Sequence, residues 1–334
     1  MSYNVKVQRV LVADAVDASC VDLLKKNGIE VDCKYKLPKD QLIVEIPKYD
    51  ALIVRSDTKV TADVIEAGKK LKVIGRAGAG VDNIDINAAT SKNILVLNTP
   101  GGNAISACEL TCSLITTLAR NVVPGAASLK AGRWDRKLYS GHELYGKTLA
   151  ILGLGRIGRE VAIRMQAWGM KTIGYDPIVP AEDARKFNVE ALTLEQIWPQ
   201  ADYITVHTPL IPETRNLICE AVLNKCRKGV RIVNVARGGI INEVDLLNAL
   251  KSGQCGGAAL DVFEQEPPTD PVTLELIQQN QVVATPHLGA STAEAQVRVA
   301  VEISEQIIAL TGRSQEYTAV PGVVNRSVLD SLKK

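Results

Sequence analysis

Short runs of β-branched and aliphatic residues recur along the chain, separated by stretches with helical spacing. Ten runs read as strands: VQRVLVAD, YDALIVRS, KVIGRAG, NILVLNT, KTLAILGLG, KTIGYD, DYITVHTP, VRIVNVA, GAALDVF and QVVATPH. Between most of them lie segments such as DASCVDLLKKNG and EVDLLNALKSG, whose apolar residues fall on one helix face. Strand and helix in regular alternation predict an α/β fold with parallel sheets and helices on both faces. Several runs are apolar on both of their alternating faces, as strands covered on two sides must be.

Two stretches of small residues interrupt this pattern, NTPGGNAIS at 98–106 and TPHLGAST at 285–292. Each puts Pro and Gly directly after a strand, which suits a chain crossing rather than the interior of an element. A chain of 334 residues also exceeds the size at which one core keeps growing. Two domains are therefore expected: residues 101–288 as one, and 1–100 with 289–334 as a discontinuous, flavodoxin-like second, with a cleft between them. The C-terminal tail SLKK is expected to fray.

Composition narrows the function. Hydrophobic residues make up 46% and charged residues 23%, and 39 basic against 37 acidic side chains leave a net charge of +2. No polybasic face calls for nucleic acid or an anionic membrane. No apolar run approaches the ~18 residues that span a bilayer, and the alternating N-terminus reads as a first strand rather than a leader. The seven cysteines are scattered, with no Cys-x-x-Cys pair, so reduced thiols in a cytosolic protein are expected and no metal site.

The most specific local signal is KTLAILGLGRIGREVAIRMQAWGMKTIGYD, residues 147–176. A strand runs into Gly153, Gly155 and Gly158, which open a helix with Ile157, Val161, Met165 and Trp168 at steps of four, four and three. The glycines allow a tight turn and let the backbone approach a pyrophosphate, while the helix N-terminus supplies amide donors. Arg156 is placed beside the phosphates. Asp176 closes the second strand, where a carboxylate accepts from ribose hydroxyls and repels a 2′-phosphate, favouring NAD over NADP.

Three further segments end at strand C-termini: NVARGGIINEVDLL with Arg237, GAALDVFEQEPP with Asp261 and Glu266, and ATPHLGAST with His287. His287 taken alone reads as an ordinary polar loop residue. Together the three have complementary chemistry. Arg237 can hold a carboxylate and polarise a neighbouring carbonyl. Glu266 can fix the histidine tautomer and raise its proton affinity, and His287 can take a hydroxyl proton as hydride leaves for a nicotinamide. His207 reads as structural and His142 as a surface residue.

The segments LGLGRIGRE, VNVARGGIINE, AALDVFEQEPP and TPHLGAST resemble the D-isomer-specific 2-hydroxyacid dehydrogenases. VRSDTKVTADVI, GRAGAGVDNIDI and LNTPGGNAISACELT are similar to the branch of that family that acts on a phosphorylated hydroxy acid. The resemblance spans roughly residues 8–326. It implies two Rossmann-like domains with the active site in the cleft between them, and NAD as the cofactor. Arg237, Glu266 and His287 become the catalytic set. Further cofactor contacts are implied at Ile157, Thr208, Val235, Ala236, Arg237, Asp261, His287, Gly289 and Ala290. The branch often carries threonine where this chain has Ala79, so a somewhat weaker hold on the cofactor is expected there.

Substrate choice is expected from the other domain. Arg55 and Ser56 follow one apolar strand and Arg76 another, with Asn103 in the crossing loop. Two guanidiniums, a hydroxyl and an amide suit a phosphate dianion, and the resemblance assigns these positions to phosphate and carboxylate. Each arginine by itself reads equally well as a surface ion-pair partner. Asp57 is an awkward neighbour for phosphate unless it lies on the opposite strand face. The basic and aromatic stretch KAGRWDRKLYSG is expected at a subunit contact, and the resemblance implies a homodimer through the NAD-binding domain in which Arg133 or Arg136 reaches the neighbouring site. A tetramer stays open. Rival readings are a broader 2-hydroxyacid dehydrogenase or 2-oxo acid reductase, and an NAD(H)-sensing corepressor. No C-terminal regulatory module is expected.

Overall fold

The computed structural model describes residues 3–331, so the last three residues of the tail SLKK lie outside it. The chain divides into two compact units, one made of residues up to Asn103 with those from Ala290 onward, the other of Ala104–Gly289.

The smaller unit holds five strands, β1 (Arg9–Val12), β2 (Glu30–Cys33), β3 (Ala51–Val54), β4 (Val73–Arg76) and β5 (Leu95–Leu97), in the order β2-β1-β3-β4-β5 and all parallel. Both faces are covered, which is why the central strand β3, ALIV, is apolar and buried at every position and its neighbours β1 and β4 are buried at all but one. Val10, Val12, Ile53, Leu95 and Leu97 join one core, and Leu11, Leu52, Val54, Ile74 and Val96 join the other. Each such side chain contributes about 1.5–3 kcal/mol. The first core is closed by Val299, Ala300, Ile303 and Ile307 of the helix Ala293–Thr311. That helix lies so close to β4 that a Cβ on Gly75 would stand 2.8 Å from Ile303.

The larger unit holds seven parallel strands, β6 (Thr148–Leu152), β7 (Lys171–Tyr175), β8 (Glu190–Ala191), β9 (Tyr203–Val206), β10 (Val230–Asn234), β11 (Cys255–Leu260) and β12 (Val282–Ala284), ordered β12-β11-β10-β9-β6-β7-β8. Alternate residues again feed two cores, with Leu152, Ile204, Ile232 and Leu260 on one face and Ile151, Tyr203, Val233 and Ala259 on the other. The strand order reverses once in each sheet, between β1 and β3 and between β6 and β9. Open α/β sheets bind ligands outside the strand C-termini at such reversals.

Two observed strands lack any hydrophobic run, β2 and β8. Both are edge strands, and the sequence of β2, EVDC, has no buried residue. A strand paired on one side and open to water needs no apolar pattern. Trp168 also departs from the helical reading: the helix Arg156–Ala167 stops one residue earlier, buries Gly158, Val161, Ala162 and Met165, and leaves Trp168 57% exposed as its cap. No helix among the described residues is long and apolar enough to cross a membrane.

Candidate active site

Strand β6 ends at Leu152, and Gly153 turns the chain with φ +97°, a left-handed conformation that favours glycine. A side chain there would also meet the His207 carbonyl oxygen at 2.6 Å, where the chain leaves the neighbouring strand β9. Gly158 is packed more tightly still, its missing Cβ only 2.1 Å from the Gly153 carbonyl oxygen. Gly155, by contrast, faces open space and precedes the 12-residue helix Arg156–Ala167, whose first amides have no intrahelical partner. Arg156 opens that helix and is exposed, while Ile157 is half-buried.

Asp176, just beyond β7, binds the turn from the side. Its Oδ2 accepts the Leu154 amide at 2.8 Å, and its Oδ1 accepts the amides of Ile178 and Val179 at 2.8 and 3.2 Å. An ionised carboxylate offers about four acceptor directions, which leaves room for a ribose hydroxyl. Thr208 Oγ1, on the far side of Gly153, is buried with no hydrogen-bond partner among the described residues. An open glycine, a helix N-terminus, a carboxylate and an orphaned hydroxyl around one turn fit a dinucleotide. His207 serves the same turn structurally: its ring lies 3.0 Å from Thr205 Oγ1, and burial pushes its pKa down to about 4, which keeps it neutral.

Arg237, Glu266 and His287 come together at the ends of β10, β11 and β12. The β10 exit is shaped by Asn234, which is 2% exposed. Its side chain donates to the Arg237 carbonyl at 2.8 Å and accepts the Ala236 amide at 2.9 Å, closing the turn on itself. Val235 and Ala236 are buried in that turn, and Arg237 donates to the Ala236 carbonyl. Gly238 has no room for a Cβ, because the backbone of Phe263 passes 1.8 Å from where it would lie. The arginine turn is thereby pressed against the loop that carries Glu266.

Glu266 Oε2 lies 2.6 Å from His287 Nδ1, and its Oε1 accepts the Phe263 amide at 3.1 Å. Burial works to raise the Glu266 carboxyl, but the hydrogen bonds from His287 and Phe263 and the charges of His287 and Arg237 outweigh it, holding the pKa below the ordinary value. An anionic Glu266 fixes the proton of neutral His287 on Nδ1 and leaves Nε2 as the acceptor. His287 itself has φ +54°. That backbone is held by Asp261, which is fully buried: Oδ1 accepts the Thr285 hydroxyl at 2.6 Å and the Leu288 amide at 2.7 Å, Oδ2 accepts the Gly289 amide at 2.8 Å, and the Asp261 carbonyl accepts the His287 amide at 2.8 Å. A cavity of about 410 Å³ flanks the pair, walled by Phe263, Pro267, Pro268, Ile277 and Pro286 as well as Glu266 and His287.

The smaller unit places Arg55 and Arg76 at neighbouring strand ends, since Val54 of β3 is in register with Arg76 of β4. Gly78 lies under the Arg76 guanidinium, where a Cβ would come within 2.2 Å of Nη1. Arg55 Nε is buried without a hydrogen-bond partner, and so is Asn103 Oδ1. Ser56 and Asp57 are exposed, and the Ser56 hydroxyl donates to Asp57 Oδ1 at 3.3 Å, so that hydroxyl is shared with a carboxylate. Ala79 meets the rest of the unit through its carbonyl, which accepts from Asn98 at 2.6 Å. Asn103 and Ala290 belong to this unit by the division of the chain, and Gly289 to the other.

Residues 112–289 match the model of the family described as D-isomer specific 2-hydroxyacid dehydrogenase, NAD binding domain. The chain belongs to the D-isomer specific 2-hydroxyacid dehydrogenases. It is 54% identical over 326 residues to the D-3-phosphoglycerate dehydrogenase of Rattus norvegicus, covering 97% of this chain and 60% of that protein. Among solved structures it is similar to a glyoxylate reductase from Paecilomyes thermophila, with 28% identity, a TM-score of 0.85 and coverage of 96% and 99% of the two chains. It is also similar to the D-lactate dehydrogenase from Aquifex aeolicus complexed with NAD and lactic acid, with 25% identity, a TM-score of 0.82 and coverage of 95% and 99%.

Asn234 escaped notice inside VRIVNVA, although a lone polar residue ending an apolar strand is a signal in itself. Asp14 and Asn83, both in the smaller unit, were likewise passed over beside VLVA and GVDN. Arg133, expected with Arg136 as an alternative at a neighbouring site, is paired with Asp135 at 3.1 Å.

Proposed function

We propose that the protein oxidises 3-phospho-D-glycerate to 3-phosphohydroxypyruvate with NAD as the hydride acceptor. The observation that carries the reading is the Glu266–His287 hydrogen bond at 2.6 Å with Arg237 acting on the same carboxylate. Bound NAD supplies a nicotinamide that accepts the hydride from C2. His287 Nε2 takes the proton of the C2 hydroxyl in the same direction and returns it in reduction, and Glu266 stabilises the imidazolium that forms. Arg237 holds the substrate carboxylate and polarises the C2 oxygen. Asp261 keeps the His287 loop in place.

Gly153, Gly155, Gly158 and the amides of Arg156 and Ile157 receive the pyrophosphate, Asp176 the ribose, and Thr208, Val235, Ala236, Gly289 and Ala290 the nicotinamide end. Arg55, Arg76 and Asn103, with Ser56 beside them, read the substrate phosphate. Two arginines at adjacent strand ends, with Arg55 Nε and Asn103 Oδ1 buried and without a hydrogen-bond partner, support that choice over lactate or glyoxylate, which carry no phosphate to meet them. A homodimer is supported by apolar surface on the larger unit, where Trp134, Leu138 and Trp168 are exposed. Seven free thiols suit a reducing, cytosolic setting.

The test is NADH oxidation with 3-phosphohydroxypyruvate against unphosphorylated hydroxypyruvate at equal concentration. A preference of several hundredfold in kcat/KM, about 3–4 kcal/mol, is expected. Near-equal rates would discard the phosphate reading and leave a broader 2-hydroxyacid dehydrogenase.

A further inference from the structure

Resting on the phosphate reading just given, we propose that Asp14 and Asn83 are positioning residues that hold the Arg55–Thr58 turn in the shape that recognises the phosphate. Asp14 lies just beyond β1 and Arg55 just beyond β3, so the two flank the reversal of strand order in the smaller sheet. Asp14 is 3% exposed. Its Oδ2 accepts the Arg55 amide at 2.6 Å and the Thr58 amide at 3.1 Å, and its Oδ1 accepts the Thr58 hydroxyl at 2.5 Å. From the opposite direction Asn83 Nδ2 donates to the carbonyls of Arg55 and Thr58, both at 2.7 Å.

Two side chains thus hold the amide and the carbonyl of both the first and the last residue of the turn. They come from segments 41–44 residues upstream and 25–28 residues downstream. The middle of the turn, Ser56 and Asp57, is left facing solvent. Hydrogen bonds to an ionised acceptor are roughly twice as strong as neutral ones, and a buried carboxylate without such partners would be costly. Asp14 therefore has its burial offset by fixing the backbone of Arg55, whose Nε is buried and awaits an acceptor. An arginine on a clamped backbone loses less freedom when it grips an anion, so the clamp acts on substrate affinity rather than on the proton step.

The experiment measures kcat and KM for 3-phosphohydroxypyruvate and for hydroxypyruvate, with NADH, in the wild type and in Asp14→Asn, Asn83→Ala, Arg55→Ala and the double variant Asp14→Asn/Arg55→Ala. Asp14→Asn and Asn83→Ala are expected to lower the preference for the phosphorylated substrate about tenfold through KM, with hydroxypyruvate turnover within about twofold of wild type. In the double variant the preference should be no lower than in Arg55→Ala alone, because residues acting through one another are not additive. Equal losses for both substrates, or effects that multiply in the double variant, would overturn the positioning role. If Asp14→Asn does not fold, Asn83→Ala carries the comparison. A wild type without preference sinks the phosphate reading itself, whereas a preferring wild type with unchanged variants sinks only the clamp.

Discussion

Beside the reversal of strand order in each sheet lies a turn that an aspartate just beyond a neighbouring strand holds by its amide. Asp176 Oδ2 takes the Leu154 amide at 2.8 Å in the larger unit, and Asp14 Oδ2 takes the Arg55 amide at 2.6 Å in the smaller. Beyond that shared bond the turns diverge. In the larger unit the turn is glycine backbone leading into a helix, so the donors are amides at fixed positions. In the smaller it is a run of side chains whose backbone is held by Asp14 and Asn83. The first kind suits a group common to every reaction of a family, and the second suits the substrate phosphate proposed for Arg55.

All three histidines lie in the larger unit, and the largest expected effect separates chemistry from recognition on that ground. His287→Asn should lower kcat by about 10²–10⁴-fold with the preference for phosphorylated substrate unchanged, measured by steady-state kinetics, and NADH binding by fluorescence should stay within a few-fold. A loss of preference instead would place recognition and proton transfer in one unit.

Next in size is Gly158→Ala. Its Cβ must push against the Gly153 carbonyl oxygen from 2.1 Å, so the glycine turn should open at a cost of about 1–3 kcal/mol, seen as a lower Tm and weaker NADH binding. Ser56→Ala in the exposed turn of the smaller unit should change stability by less than about 0.5 kcal/mol. Equal effects would erase the contrast between a backbone-built and a side-chain-built turn.

Asn234→Ala strands the Ala236 amide and the Arg237 carbonyl inside the larger unit, at a cost of about 1–3 kcal/mol in urea unfolding. Because Arg237 is then free to wander, KM for the hydroxy acid should rise while NADH affinity holds.

A further effect, visible only in acid, is in pH dependence. Folded His207 takes a proton only near pH 4 and the unfolded chain near 6.5. Between those values the unfolded state binds more protons, so stability falls as the pH drops from 6.5 to about 4 and the loss levels off below. His207→Gln should flatten that slope by about 2 kcal/mol in urea titrations across this range. A slope unchanged in the variant would assign the acid sensitivity elsewhere.

The core of both sheets was legible because buried parallel strands are written as continuous apolar runs, and β3, ALIV, is the plainest case. The edge strands β2 and β8 were not legible, since a half-solvated strand carries no such run. The glycine turn was legible because three glycines at that spacing have one backbone use, and His287, Glu266 and Arg237 stood out as reactive residue types at strand ends. Asp14 and Asn83 were invisible because their work is to bind backbone that is near them only after folding, whereas Asn234, whose partners are two and three residues on, left the local signal of a polar residue ending an apolar strand. Asp261 was read as holding the cofactor carboxamide or the neighbouring backbone, and its fully buried side chain accepts from the His287 loop.

The sequence alone therefore determined the alternation of elements, the two-sided burial of the sheets, the glycine turn and the residue types that stand at the strand ends. These are local properties, set by residue type and by spacing within one element. Tertiary structure decided which strands became edges, how the His287 loop hangs from Asp261, and how Asn83 and Asp14 meet around Arg55. Those outcomes depend on hydrogen bonds between segments tens of residues apart, and such bonds leave no periodic trace in the chain.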